Sequence, residues 1–200
     1  MEPVLRDADA TRARLLAAAR REFAAFGIAG ARVDRIAAEA ASNKAQIYHY
    51  FGSKEQLFDA VFAAVVDELV HELPLDVDDL PGYAARLSEH YEQHPDMLRL
   101  VTWQRLERST EPQPVAVKAS RAKIPEIAQA QADDRLSDRY PADVLLHAVM
   151  HIASLWSATS PDMSWARKLP SAAARRRIVA QMVRDMLAAR APAGLGQPDQ

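Results

Sequence analysis

Apolar residues recur at three- and four-residue intervals along almost the whole chain, a period that predicts helices and no strands. Leu15, Leu16, Ala19 and Phe23 stripe a first helix, capped near Asp9 or Thr11 and closed by Gly27. Val33, Ile36, Ala37 and Ala40 stripe a short second one. A turn at Ala41-Ser42 follows, and Asn43 is placed to cap a third helix, Lys44 to Tyr50, in which Ile47 and Tyr50 point inward. Ser53-Lys54-Glu55-Gln56 reads as a capping box opening a long helix that Pro74 stops. Beyond it the pattern predicts helices over 80–94 (capped by Asp79), 95–108, 115–133, 141–157 and 171–189. Pro125 is expected to kink the third of these, and Pro141 to open the fourth. Residues 1–8 read as a loose arm, 160–170 as a loop and 191–200 as a disordered tail.

The third helix is unusual in burying so little. Lys44, Gln46, Tyr48 and His49 stay on its free face. A short helix held by one or two core contacts, with donors and aromatics outward, suits the major groove of DNA. There Gln46 can pair bidentately with adenine, Lys44 can reach guanine or a phosphate, and the Ala45 methyl can meet a thymine methyl. The exposed N–H groups that open the next helix, with Lys54 beside them, suit a phosphate. Taken alone, Lys54 reads equally well as a solvated first-turn residue.

Composition sharpens this picture in three ways. At 200 residues, 49% hydrophobic and 26% charged, the chain is long enough and apolar enough for a folded core. It has no cysteine, which excludes disulfides, zinc-thiolate sites and thiol catalysis. The net charge of −2 divides unevenly: residues 10–56 hold eight basic and four acidic side chains, while the rest is acidic. A basic head on an acidic body favours phosphate contact at one end only. The N-terminus lacks an apolar signal region and no window reaches membrane-spanning length, so a cytoplasmic protein is expected.

The run AAEAASNKAQIYHYFGSKEQL resembles the helix-turn-helix of the tetracycline-repressor (TetR) family of bacterial regulators. The resemblance extends back through LLAAARREFAAFG and forward into the helix after Ser53, with IYHYFGSKEQLF its most specific part. It implies an all-α fold: a three-helix DNA-binding head at residues 8–55, then an effector-binding and dimerisation bundle at 56–190. It implies that Lys44, Ala45 and Gln46 face the bases and that Tyr48, His49 and Lys54 face the backbone, with Asn43 at the head of the helix also counted as DNA-binding. It also implies a homodimer on a palindromic operator, released when a small molecule binds the body, with neither cofactor nor catalysis. Three departures stand out. Ala41 occupies a turn position where the family usually has glycine, and Ala31 and Arg32 stand where it has a capping Ser or Thr. Asp34 replaces a commonly basic residue, so Arg32 and Arg35 are preferred as backbone contacts.

In the body, Tyr83, Tyr91, Met97, Trp103, Met150 and Trp156 are candidates to line a mostly apolar pocket, with His90, His94, His147 and His151 as polar anchors. Core packing accounts for any one of these aromatics as well. The last two helices carry more apolar surface than one core face needs. From periodicity alone this fits a buried core helix; the resemblance makes Val144, Ala148, Ile152, Leu155, Ile178, Val179, Met182, Val183 and Met186 a dimer face. The pairs His90/His94 and His147/His151 are spaced i, i+4, which leaves a metal-responsive regulator as an alternative. A helical interaction protein with a non-functional head is another. A helical enzyme finds no support, since no phosphate loop, nucleophile elbow or metal-ligand motif is present.

Overall fold

A computed structural model describes residues 2–108, 110, 112–157 and 170–188, with side chains from residue 8 onward. Among them are nine helices and no strand: α1 Glu2–Gly30, α2 Val33–Glu39, α3 Lys44–Phe51, α4 Lys54–Glu72, α5 Leu80–Gln93, α6 Pro95–Glu107, α7 Pro114–Ala132, α8 Ala142–Ala153 and α9 Ala172–Ala188. Residues 160–169 of the loop expected over 160–170, and the tail at 191–200, lie outside the described residues. The first helix begins at Glu2, so the segment expected to be a loose arm is helical, and Thr11 is a buried mid-helix residue rather than a cap.

The chain forms two compact units. The first comprises residues 1–72 and 94–119, and the second residues 73–93 and 120–200. This partition differs from a simple head and body, because α6 and the start of α7 return to the first unit.

In the first unit, α1 packs against α2, α4 and α6. Leu15, Ala18, Ala19 and Phe23 of α1 meet Leu57, Phe58, Val61, Phe62 and Val65 of α4 in the core, with Phe23 edge-on to Phe58 at 5.2 Å between ring centres. Arg20 of α1 donates to Glu68 of α4 at 2.6 Å and also to Asp96 of α6. Burial opposes the charge of Arg20, but these two carboxylates outweigh it and raise its pKa.

In the second unit, α5 packs on α8 and α9. Its buried face is Leu80, Tyr83, Ala84, Leu87, Ser88, His90 and Tyr91. The Asp79 carboxylate caps it by accepting from the Gly82 N–H at 2.9 Å, as the sequence predicts. The basic start of α9 is tied down, with Arg175 paired to Glu92 and Arg176 to Glu89. Helix α7 continues as helix through Pro125, and Pro141 stands one residue before α8 as its cap.

Candidate nucleic-acid interface

The chain from Gly27 to Gln56 builds one face of the first unit. Gly27 has φ 72°, and a Cβ there would come within 3 Å of the Trp103 ring and the Glu107 carboxylate. The positive φ was expected, but it ends only the first segment of α1; a further helical turn runs to Gly30. Three residues on one stripe of α6 cap this break. Arg99 Nε and Trp103 Nε1 donate to the Ala24 carbonyl at 2.7 and 3.3 Å, at the end of the segment before the break. Glu107 accepts from the N–H groups of Ile28 and Ala29 at 3.2 and 2.7 Å, on the other side. Orphaned backbone groups on both sides of the break are thus satisfied by one neighbour.

Helix α2 buries Ile36 and Ala37. Its cap position, Arg32, makes no side-chain cap bond. Glu22, buried in α1, takes over part of that role by accepting from the Arg32 N–H at 2.8 Å. The same carboxylate binds the Arg35 guanidinium at 2.6 Å, and that guanidinium lies over the Phe26 ring. Burial works against the charge of Glu22, yet the donors from Arg35 and Arg32 prevail and lower its pKa below the usual 4.5. Arg35 thus acts as an internal clamp, its Nε and Nη2 bonded to Glu22 and its Nη2 also to the Gly30 carbonyl.

The turn is made by Ala41 with φ 49°, a left-handed conformation adopted despite its Cβ. Asn43 then caps α3, its Oδ1 accepting from the Gln46 N–H at 2.9 Å. Ile47 is fully buried and Phe51 nearly so. Phe51 is the second anchor in place of Tyr50, which is only half-buried, because the helix runs one residue further than predicted. Lys44, Ala45, Gln46, Tyr48 and His49 are exposed, Tyr48 by 48%. Two of them have partners: Lys44 Nζ lies 2.6 Å from Asp34 Oδ1, and Gln46 is hydrogen-bonded to the Ser42 hydroxyl. At the start of α4, Ser53 Oγ accepts from the Gln56 N–H at 3.1 Å. The return arm expected of Gln56 is replaced: the Ser53 N–H turns back to the Phe51 carbonyl at 2.9 Å. Lys54 Nζ reaches the Ala29 and Ala31 carbonyls at 3.3 and 3.4 Å, which ties α4 to the loop before α2. Sequence reasoning missed Glu22, Phe26 and Glu107. The signals were there, in a glutamate on the apolar stripe of α1 and a carboxylate two turns after Arg99.

The residues expected around an effector are distributed between the units. Met97 and Trp103 belong to the first, where Met97 is buried and the Trp103 indole is committed to α1. Tyr83 and Tyr91 are buried in the second, and Lys123 donates to the Tyr83 hydroxyl at 2.9 Å. Met150 and Trp156 are half-buried. His147 and His151 are exposed on α8, each Nδ1 bonded to the carbonyl four residues back. His90 is buried in α5, while His94 caps α6, so these two do not share a helix face. Among the described residues no group of three or more His, Cys, Asp or Glu is placed to hold a metal. An open groove of about 420 Å³ in the second unit is lined by Val77, Pro125, Glu126, Gln129 and Arg135, none of them among the predicted pocket residues.

On the expected dimer face, Val144, Leu155, Ile178 and Met182 are exposed, and Ala148, Ile152 and Met186 partly so. Val179 and Val183 are corrected: both are fully buried in the monomer, on the side of α9 that faces its own core. No helix among the described residues is long and apolar enough to cross a membrane.

A capped, weakly buried helix presented beyond a tight turn, in an all-helical chain, defines a helix-turn-helix DNA-binding regulator. Residues 15–61 match the family profile described as bacterial regulatory proteins, tetR family, and residues 79–185 that of a tetracyclin repressor-like C-terminal domain. The chain is 38% identical over 161 residues to the HTH-type transcriptional repressor SCO4008 of Streptomyces coelicolor, covering 79% of this chain and 83% of that protein. It is 35% identical over 106 residues to the HTH-type transcriptional repressor NicS of Pseudomonas putida, half of each chain. The crystal structure of SCO4942 from Streptomyces coelicolor superposes with a TM-score of 0.80 at 37% identity, covering 91% of this chain and 99% of that one. The chain belongs to the TetR family of bacterial transcriptional regulators, a class of DNA-binding proteins rather than enzymes.

Proposed function

We propose that this regulator is a ligand-responsive repressor that binds a palindromic operator as a homodimer and releases it when a small molecule enters the C-terminal region. The outward face of α3 carries the reading: Lys44, Ala45 and Gln46 toward bases, Tyr48 and His49 toward the backbone, with Arg32 and Lys54 flanking. One such helix specifies too few bases, whereas a two-fold pair reads half-sites about 34–36 Å apart. The exposed apolar side chains of α8 and α9 support that pairing.

The effector is read as apolar or aromatic with a polar group. Supporting this, the Ser88 hydroxyl and the Trp156 indole N–H are buried with no hydrogen-bond partner among the described residues. Buried donors of this kind favour a ligand that satisfies them. Binding would act by preferring a state unsuited to DNA, transmitted along α4, which ends where the chain passes into the second unit. The test is an electrophoretic shift on the DNA upstream of the protein's own gene. Retardation by a dimer, abolished by Gln46→Ala combined with Lys44→Ala, supports the reading; a monomer indifferent to DNA in dilute buffer ends it.

A further inference from the structure

Asp34 opens α2 and Lys44 opens α3, and the turn between the helices brings them into an ion pair of 2.6 Å. Their side chains remain 57% and 56% exposed, so the pair adds little to folding. Its position matters more. An ammonium is a compact charge on a flexible stem, and one left unpaired at a DNA-facing surface settles on any phosphate, whatever the sequence.

We propose that Asp34 is a positioning residue for Lys44, one that withholds its ammonium from phosphate and reserves it for a base-edge acceptor. The inference rests on the reading of Lys44 as a DNA-facing residue. On a random duplex the carboxylate removes one cation from phosphate contact. A site that offers a guanine edge at the right place gives Lys44 two acceptors, O6 and N7, in exchange for Asp34. The pair therefore lowers affinity for all sequences but lowers it least for the correct one. A nearby side chain is held in the same manner, since the Ser42 hydroxyl donates to the Gln46 amide oxygen in the same first turn of α3. Nearby cations are likewise committed, Arg21 to Glu39 at 2.5 Å and Arg35 to Glu22 at 2.6 Å. Among these pairs, that of Lys44 lies on the reading helix itself.

The experiment uses the full-length protein with Asp34→Asn, Lys44→Met and the double variant. Fluorescence anisotropy measures binding to a random duplex and to a duplex that the parent protein selects from a randomised pool, from about 50 to 200 mM salt. Asp34→Asn is expected to tighten random-duplex binding about five-fold at the low-salt end and to steepen the salt dependence by about 0.9, one phosphate contact. The selected duplex should change less, so discrimination falls. In the Lys44→Met background, Asp34→Asn should have no effect. Equal tightening in both backgrounds would mean that Asp34 acts by plain repulsion and would overturn the proposal, as would an unchanged salt slope. If Lys44→Met alone alters binding to neither duplex, the placement of Lys44 at the DNA fails, and this proposal with it. Unchanged melting temperatures across the set keep folding out of the comparison.

Discussion

Ala41 holds φ 49° in the turn of the DNA-binding motif, where a Cβ crowds the following carbonyl. Substituting glycine removes that crowding and costs some unfolded-state entropy in return, so Ala41→Gly should stabilise the protein by about 0.5–1 kcal/mol. Urea denaturation measures this, and a destabilised variant would show that the turn is relaxed as it stands. Glu22 makes a second residue-level case. Its pKa is lowered on folding, so its contribution to stability is complete above the ordinary value of 4.5 and is lost as pH falls through the lower folded value. Glu22→Gln should cost about 2 kcal/mol at neutral pH, because the Arg32 N–H and Arg35 lose a charged acceptor. The gap between variant and parent should close in acid. A gap independent of pH would show that packing, not charge, supplies the effect.

Among elements, the joint between α1 and α6 depends on one missing side chain. At Gly27 both the positive φ and the closeness of Trp103 and Glu107 forbid a Cβ. Gly27→Ala is expected to destabilise by about 3 kcal/mol, combining left-handed strain with overpacking. Glu107→Gln should cost less, since the amide oxygen still accepts from the N–H groups of Ile28 and Ala29. Thermal melts that rank the two variants in the opposite order would mean that the carboxylate charge, rather than the space at Gly27, holds the joint.

At the scale of the whole molecule, the exposed apolar side chains of α8 and α9 are the ones a solvated monomer does not need. Val144, Ile178 and Met182 are between 38% and 47% exposed. Large exposed apolar patches mark association surfaces. The double variant Val144→Glu with Met182→Glu is expected to sediment as a monomer, keep its helical circular dichroism, and lose operator binding about 100-fold or more, because linked half-sites reinforce each other. Retained dimerisation would move the interface elsewhere.

Much of this protein was legible in its residues alone. Helical period, Asn43 and Asp79 as caps, and the outward set on α3 are local properties, decided by spacing within one or two turns. For that reason seven helices were located within a residue or two; α1 starts earlier than the pattern predicts, and α8 ends at Ala153 rather than at 157. What spacing does not carry is the choice of partner for each charge. Position alone does not reveal that α1 supplies Glu22 to Arg35, or that Lys54 reaches the carbonyls of Ala29 and Ala31. Val179 and Val183 read as dimer face by hydrophobicity, yet packing against the rest of their own unit consumes them. Periodicity says that a residue is apolar or charged on a given face. Only the folded chain decides what that face meets, since the partners come from segments tens of residues away.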